Sequence, residues 1–189
     1  TYPFVTCSAA AAGGAATGTG VGPSRLDGVL GVAKAYCTRV GTGPFPSETS
    51  GPEAEALRER GGEYGATTGR PRRCGWFDAV AVRYAVRVNG FDTLAITKLD
   101  VLDDLDSIPV CIGYRFEGAT LEEMPSDTRV LEECVPVFEV LPGWKAPTAG
   151  VRDWAMLPEN ARAYIERLTE LVGTEIGLVS TGPDRAQTI

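Results

Sequence analysis

Three arginines within four positions place concentrated positive charge in the stretch TTGRPRRCGW, residues 67–76. The wider stretch 64–77 contains no Asp or Glu, so Arg70, Arg72 and Arg73 have no neighbour in sequence that could neutralise them. A guanidinium group matches phosphates and carboxylates through two parallel hydrogen bonds. The arginines therefore predict an anion site whose counterions come from elsewhere.

Two interpretations of these arginines stay open from the residues alone. In the first, Thr67, Thr68 and Gly69 add hydroxyl and backbone N–H donors to an anion site. In the second, the stretch is a solvated basic turn, or the arginines pair with acidic residues elsewhere. The candidates for such pairing are three aspartates further along the chain: Asp100, Asp103 and Asp104.

A second set of candidate residues follows two predicted strands, in TKLD (97–100) and STG (180–182). A carboxylate such as Asp100 accepts two hydrogen bonds from the ring N–H and the exocyclic amine of guanine, and the stem of Lys98 can lie along the base. Adenine lacks that pair of donors. Ser180 and its neighbouring backbone could close over the other side of the base, whereas a surface ion pair is the alternative explanation of Lys98 and Asp100.

The small-residue tract AAAAGGAATGTGVGP, residues 9–23, does not complete a nucleotide motif. Gly13 and Gly18 have the spacing of a phosphate loop, but Thr19 stands where that loop needs a lysine. The tract is therefore interpreted as a tight loop before a helix.

Composition indicates an ordinary globular domain, because 43% of the 189 residues are apolar and 23% are charged. The net charge of −7 disfavours binding of a nucleic-acid backbone. Five cysteines, odd in number and without a CxxC pair, argue against a disulfide framework and a structural zinc site, so we expect a reducing, cytoplasmic compartment. No apolar run is long enough to predict a membrane span.

The sequence contains no histidine, which removes histidine-based nucleophile activation, general bases and metal ligands. The aspartates between residues 100 and 106 lack the ligand pattern of a calcium loop, so no metal site is predicted. The chain opens at Thr1 without a methionine and enters an apolar run at once, which predicts a fragment of a longer protein.

Hydrophobic periodicity predicts alternating helices and strands. The predicted helices lie at 26–40, 51–62, 76–90 and 158–173, and the predicted strands at 92–98, 109–116, 137–141 and 175–180. Residues 117–136 are acidic and irregular. This alternation predicts an α/β fold with a mainly parallel sheet flanked by helices, in which ligands lie beyond the carboxyl ends of the strands.

Six motifs together resemble one known family. They are, in chain order, YPFVT (2–6), TRVGTGPFPSE (38–48), GATTGRPRRCGWFD (65–78), ITKLDVLDDLDSIPVCIGY (96–114), PGW (142–144) and STGPDR (180–185). In this order they resemble the carboxyl-terminal half of adenylosuccinate synthetase, over essentially the whole chain. The resemblance implies a P-loop GTPase-like synthetase fold and a homodimer. It also implies the GTP- and Mg²⁺-dependent joining of IMP and L-aspartate through 6-phosphoryl-IMP.

The resemblance assigns roles to matching positions. The residues it implies for IMP and aspartate are Thr6, Val40, Ala66, Thr67, Thr68, Gly69, Arg70, Pro71 and Arg72. Those it implies for GTP are Arg72, Lys98, Leu99, Asp100, Ser180, Thr181 and Gly182. On this interpretation the counterions of the arginines are the anions of the substrates.

The family's phosphate loop, catalytic aspartate, catalytic histidine and magnesium ligands belong to its amino-terminal half. Residues 1–189 are therefore predicted to be the carboxyl-terminal portion of a single synthetase domain, with no catalytic residue and no activity alone. Three alternatives stay open: a non-catalytic guanine-nucleotide or anion-binding module, a structural dimerisation piece, and an enzyme acting on another purine monophosphate.

Overall fold

A computed structural model describes residues 9–189, so Thr6 lies outside the described residues. The helices are α1 (Ala12–Thr19), α2 (Pro52–Gly61), α3 (Ala79–Asn89), α4 (Thr128–Glu133) and α5 (Glu159–Val172). The strands are β1 (Leu30–Lys34), β2 (Cys37–Arg39), β3 (Arg73–Gly75), β4 (Phe77–Asp78), β5 (Thr93–Thr97), β6 (Ser107–Phe116), β7 (Ala119–Leu121), β8 (Val135–Pro142) and β9 (Ile176–Val179). Short 3-10 helices lie at Pro23–Arg25, Leu99–Leu102 and Trp154–Met156.

A parallel sheet in the order β1-β5-β9 organises the fold. Its register pairs Leu30 with Thr93 on one side of β5 and Ile96 with Val179 on the other. A second sheet is built on β6, which is parallel to β4 and antiparallel to β7 and β8, while β2 and β3 form a separate antiparallel pair. The predicted α/β fold with a parallel sheet flanked by helices is confirmed.

One apolar core joins the parallel sheet to α3 and α5. Leu94 and Ile96 of β5 are buried against Ile165 and Leu168 of α5. The hydroxyl of buried Tyr164 donates to the Ala35 carbonyl over 2.7 Å, which fixes α5 to the end of β1. This packing makes the carboxyl ends of β1, β5 and β9 a rigid platform.

The strongest periodic segments are predicted correctly. Within 51–62, α2 begins at Pro52 and ends before Gly62, whose φ of 58° is the left-handed conformation that glycine favours. Within 76–90, α3 is capped by the Asp78 carboxylate, which accepts from the Ala81 N–H over 3.1 Å. In the part of the chain covered by residues 9–189, no helix combines the length and apolar character needed to cross a bilayer.

Three predicted segments are wrong. Residues 117–136, predicted to be irregular, contain β7, α4 and the start of β8. Residues 26–40 do not form a helix but contribute β1 and β2, because pairing with β5 and β3 outweighs the helical spacing of the apolar residues. At Gly31 a side chain would lie only 2.5 Å from the ring of Phe91, so the strand depends on glycine there. The tract 9–23 is not all loop, since its centre forms α1, which ends before Gly20 with a φ of 75°.

Candidate nucleotide and anion site

A cleft of about 430 Å³ opens at the carboxyl ends of β5 and β9. This base cleft is lined by Glu59, Arg60, Gly61, Gly62, Thr97, Lys98, Asp100, Val101, Ser180, Gly182 and Pro183. It brings together four of the residues that the sequence predicts for base recognition: Lys98, Asp100, Ser180 and Gly182. They come from two segments about 80 residues apart, at the edge of the sheet where ligands are expected.

Backbone contacts between the two strand ends fix the geometry of the base cleft. The Ser180 N–H donates to the Ile96 carbonyl over 2.8 Å, and the Leu99 N–H donates to the Ser180 carbonyl over 3.3 Å. Lys98 adopts a φ of 62°, which is rare for a residue with a side chain. Such conformations concentrate at functional sites, and here the turn allows the chain to place Lys98 and Asp100 together.

Charge in the base cleft is only partly solvated. The Asp100 carboxyl is half-buried, and burial, assisted by the nearby charge of Asp103, raises its pKa above the ordinary value. The Lys98 ammonium donates to the Gly61 carbonyl and lies 3.3 Å from a carboxylate oxygen of Glu63. Burial removes hydrogen bonds from water to the Asp100 carboxylate. Two N–H donors on the edge of a guanine base would replace them.

Two residues predicted for the nucleotide site have buried side chains. Leu99 packs in the apolar core and is not exposed. The Thr181 hydroxyl is also fully buried and donates to the Val151 carbonyl over 3.0 Å. Both residues are sequence neighbours of residues that line the base cleft, but their own side chains are directed into the protein.

A second cleft of about 430 Å³ brings Arg70 and Arg73 together with Arg39, whereas Arg72 does not line it. This arginine cleft is lined by Arg39, Gly41, Thr42, Gly43, Arg70, Pro71 and Arg73. Burial and the nearby charge of Arg73 lower the pKa of Arg39, as expected where cations crowd together. Val40, predicted to contact IMP, lies beside this cleft with 69% of its surface exposed. The geometry suits an anionic ligand.

The arginine loop, residues 65–72, projects from a short base. The Glu63 carbonyl accepts from the Arg72 N–H over 2.9 Å, and a bridge between Tyr64 and Pro71 closes the next step. Ala66, Thr67, Thr68 and Gly69 are exposed, as is Arg70. Gly69 turns the chain with a φ of 64°. The side chains of this loop therefore face solvent, although the Gly69 N–H donates to the Gly65 carbonyl over 2.8 Å and the Thr68 hydroxyl accepts from the Arg70 N–H over 3.3 Å.

The prediction that all three arginines lack internal counterions is wrong for two of them. Arg72 donates through Nη1 to the fully buried Glu63 carboxylate over 2.7 Å. Arg73 donates through Nε to Glu48 over 2.7 Å. Among residues 9–189, no carboxylate lies within ion-pair distance of Arg70. Of the three arginines, only Arg70 lacks a carboxylate partner within residues 9–189, as the sequence suggested for all three.

Sequence reasoning missed two carboxylate partners, Glu48 and, more consequentially for the site, Glu63. Glu63 stands one position before the carboxylate-free stretch 64–77, so the signal was present at the edge of that stretch. Asp100, Asp103 and Asp104, the partners considered as alternatives, do not pair with the arginines of the loop. Across residues 9–189, no group of three or more acidic, cysteine or histidine side chains is placed to hold a metal ion.

Known proteins match this chain along its full length. The family model of adenylosuccinate synthetase matches residues 1–189. The adenylosuccinate synthetase of Trichlorobacter lovleyi is 59% identical over 189 residues, which cover 100% of this chain and 44% of that protein. The corresponding protein of Gloeobacter violaceus is also 59% identical, with 43% of its length covered. The chain thus spans less than half the length of these relatives.

A solved structure, described as fully ligated adenylosuccinate synthetase from Plasmodium falciparum, has the same fold. It superposes with a TM-score of 0.95 at 40% sequence identity, covering 100% of this chain and 45% of the solved one. The resemblance indicated by the six sequence motifs is confirmed. This chain belongs to the adenylosuccinate synthetase family.

Proposed function

We propose that the full-length protein containing this chain is a GTP-dependent ligase that joins IMP and L-aspartate to give adenylosuccinate in AMP biosynthesis. The observation that carries this proposal is the base cleft, where Lys98, Asp100 and Ser180 meet at adjacent strand ends. Family membership supports the same activity. The chain is one portion of a synthetase domain, and the rest of that domain supplies the phosphate loop and the catalytic groups.

The base cleft selects guanine in this proposal. Asp100 accepts two hydrogen bonds from the guanine edge, while the Lys98 stem lies along the ring. Ser180 already donates to the Gly182 carbonyl over 2.9 Å, which holds the 180–182 segment in a defined turn opposite Asp100. Leu99 and Thr181 contribute through their backbone, since their side chains are buried.

The arginine loop holds the anionic co-substrates. Arg70 has an exposed side chain and lines the arginine cleft, so it is the proposed ligand shared by IMP and aspartate. Thr67, Thr68 and Gly69 offer hydroxyl and N–H donors to the aspartate carboxylates. Ala66, Pro71, Val40 and Thr6 complete the proposed substrate set, Thr6 lying outside the described residues. Arg72, which pairs with Glu63, is the proposed contact of this loop with GTP.

The proposed reaction has two steps. The γ-phosphoryl group of GTP passes to O6 of IMP, and the aspartate amine then displaces phosphate from C6. Cations fixed around the reacting centre stabilise the negative charge that develops during phosphoryl transfer. Mg²⁺ neutralises phosphate charge when bound, but residues 9–189 do not provide a set of ligands for it. The residues of this chain therefore bind and orient the substrates.

We also propose a cytoplasmic homodimer that binds no nucleic acid. The net charge of −7 opposes binding to a phosphate backbone. The described cysteines, Cys37, Cys74, Cys111 and Cys134, are free thiols, which suits a reducing compartment. Light scattering of the full-length protein measures the oligomeric state directly.

The proposed function is tested by assaying the full-length protein with IMP, aspartate and either GTP or ATP. We expect adenylosuccinate formation with GTP, and a kcat/KM at least about 100-fold lower with ATP, because adenine leaves the Asp100 carboxylate without its donors. Equal rates with both nucleotides would contradict base selection by Asp100. Nucleotide binding without turnover would favour the non-catalytic module.

A further inference from the structure

One buried carboxylate lies between the two clefts. Glu63 has no exposed surface, yet four side chains hydrogen-bond to it or pair with it. Tyr36 donates over 2.6 Å, Lys34 over 2.7 Å, Arg72 over 2.7 Å, and the Lys98 ammonium lies at 3.3 Å. We call these five residues the Glu63 cluster. Burial of a charge is costly without partners. The donors around Glu63 compensate that cost and hold the carboxylate in place.

The Glu63 cluster connects both halves of the site. Lys98 lines the base cleft, and Arg72 ends the arginine loop. The connection includes the backbone, because the Glu63 carbonyl accepts from the Arg72 N–H and the Gly61 carbonyl accepts from the Lys98 ammonium. The two cations also contact the same carboxylate, Lys98 at Oε1 and Arg72 at Oε2 of Glu63, so a change in the position of either one acts on the partner of the other.

The remaining members tie the cluster to the rigid core. Lys34 is the last residue of β1, and Tyr36 is fully buried two residues later. Burial alone would raise the pKa of Glu63, but the hydrogen bonds from Lys34, Tyr36 and Arg72 outweigh it and lower the pKa from 4.5 to about 2. The carboxylate is therefore ionised at neutral pH, with three cations around one anion.

We propose that Glu63 is a positioning residue that couples the base cleft to the arginine loop by holding Lys98 and Arg72 on one carboxylate. This inference rests on the proposed function. The cluster holds three cations on one carboxylate, so its excess positive charge favours substrate anions bound at the loop. Nucleotide at Lys98 and substrate at the loop then act through opposite oxygens of one carboxylate, and each changes the affinity for the other.

The first test is Glu63→Gln in the full-length protein. We expect the KM for GTP and the KM for aspartate to rise together by about 10-fold, with kcat changed less than about 3-fold, because both cations lose their shared charge. A purely structural role would lower the active fraction, and therefore kcat, without moving either KM. Asp78→Asn is the matched control, since it converts another buried carboxylate to an amide outside both clefts.

The second test does not depend on the folding of a Glu63 variant. Lys98→Met removes a cation that lines only the base cleft, and we expect it to raise the KM for aspartate by about 3-fold as well as the KM for GTP. Arg60→Met is its control, because Arg60 lines the same cleft and pairs with Asp104 instead of Glu63. The control raises the KM for GTP alone.

The outcomes separate the inference from the proposed function. A wild-type protein that forms no adenylosuccinate from GTP, IMP and aspartate would remove the proposed function. An active wild type whose KM for aspartate is unchanged by Lys98→Met, or by a folded Glu63→Gln, would overturn the coupling role of Glu63 and leave the proposed function standing. A joint rise in both KM values in these variants, absent from their controls, would support it.

Discussion

The base cleft and the arginine cleft have similar volumes but are built differently. The base cleft lies on the ends of β5 and β9, whose backbones hydrogen-bond to each other directly. The arginine cleft is bordered by the exposed loop 65–72 and by the glycine-rich turn after β2. One site is therefore held by the core of the protein, and the other is carried by segments at its surface.

This difference matches two kinds of recognition. A planar base with fixed donors is selected best by groups held at fixed distances, as Asp100 and Ser180 are. Small flexible anions need charge and several donors, which an exposed loop can bring to them. Glu63 lies where the two meet, since it contacts Lys98 on the rigid side and Arg72 on the loop side.

The largest effect is expected from a substitution in the rigid base cleft. Asp100→Asn places an amide donor against the donors of guanine, so we expect the preference for GTP over ATP, measured as the ratio of kcat/KM values, to fall about 100-fold. The KM for aspartate is expected to change far less. A variant that keeps the wild-type ratio would show that Asp100 does not read the base.

The second largest effect is expected from a substitution in the arginine loop. Arg70→Leu removes the one arginine of the loop that has no internal carboxylate partner among residues 9–189, and we expect the KM for IMP and for aspartate to rise about 10- to 100-fold. Steady-state kinetics with each substrate varied in turn measure both values.

Arg73→Leu is the comparison for that prediction, because Arg73 lines the same cleft as Arg70 but is already paired with a carboxylate. Glu48 already neutralises Arg73, and the contact with Glu48 raises the pKa of Arg73. We therefore expect KM changes of less than about 3-fold. Equal effects of the two substitutions would mean that the loop acts as a diffuse positive charge.

A smaller effect is expected in the pH dependence of stability, which tests whether Glu63 is ionised. Its pKa in the folded protein, about 2, is below the ordinary value of 4.5, so its contribution to stability is complete above about pH 4.5 and is lost as the pH falls toward 2. Thermal unfolding of the full-length wild type and of Glu63→Gln should therefore differ by a constant amount near neutral pH. The difference should shrink below pH 4.5, and a difference that grows there would contradict the ionised cluster.

The smallest effect concerns the 180–182 segment. Thr181→Val removes the hydroxyl that donates to the Val151 carbonyl, so we expect a loss of about 1 kcal/mol in the free energy of unfolding and an unchanged KM for GTP. Denaturant unfolding measures the first and steady-state kinetics the second. A clear rise in the KM for GTP would place the Thr181 side chain in nucleotide recognition.

Much of the fold is predictable because local signals agree with it. The helix α5 has a strong apolar stripe and ends at Gly173, and β5 is a buried strand between polar ends. The strand β1 was not predictable in this way, since its conformation depends on pairing with residues more than 60 positions away. The helix α1 was missed because its glycines and alanines are equally typical of a loop.

The site shows the same division. Lys98 and Asp100 with Ser180 were predicted as neighbours because the ends of parallel strands meet at one edge. The Glu63 and Glu48 partners were not, because ion pairs across 9 and 25 residues follow from the tertiary fold and not from local sequence. Because of those pairs, Arg72 and Arg73 are neutralised by internal carboxylates and are not free charges.

We propose that a rigid cleft at two strand ends selects guanine beside a loop that binds anions. Calorimetric titration of the full-length protein with GTP and with ATP tests it most directly. We expect GTP to bind at least about 100-fold more tightly than ATP, and Asp100→Asn to abolish most of this difference. Equal dissociation constants for the two nucleotides in the wild-type protein would contradict it.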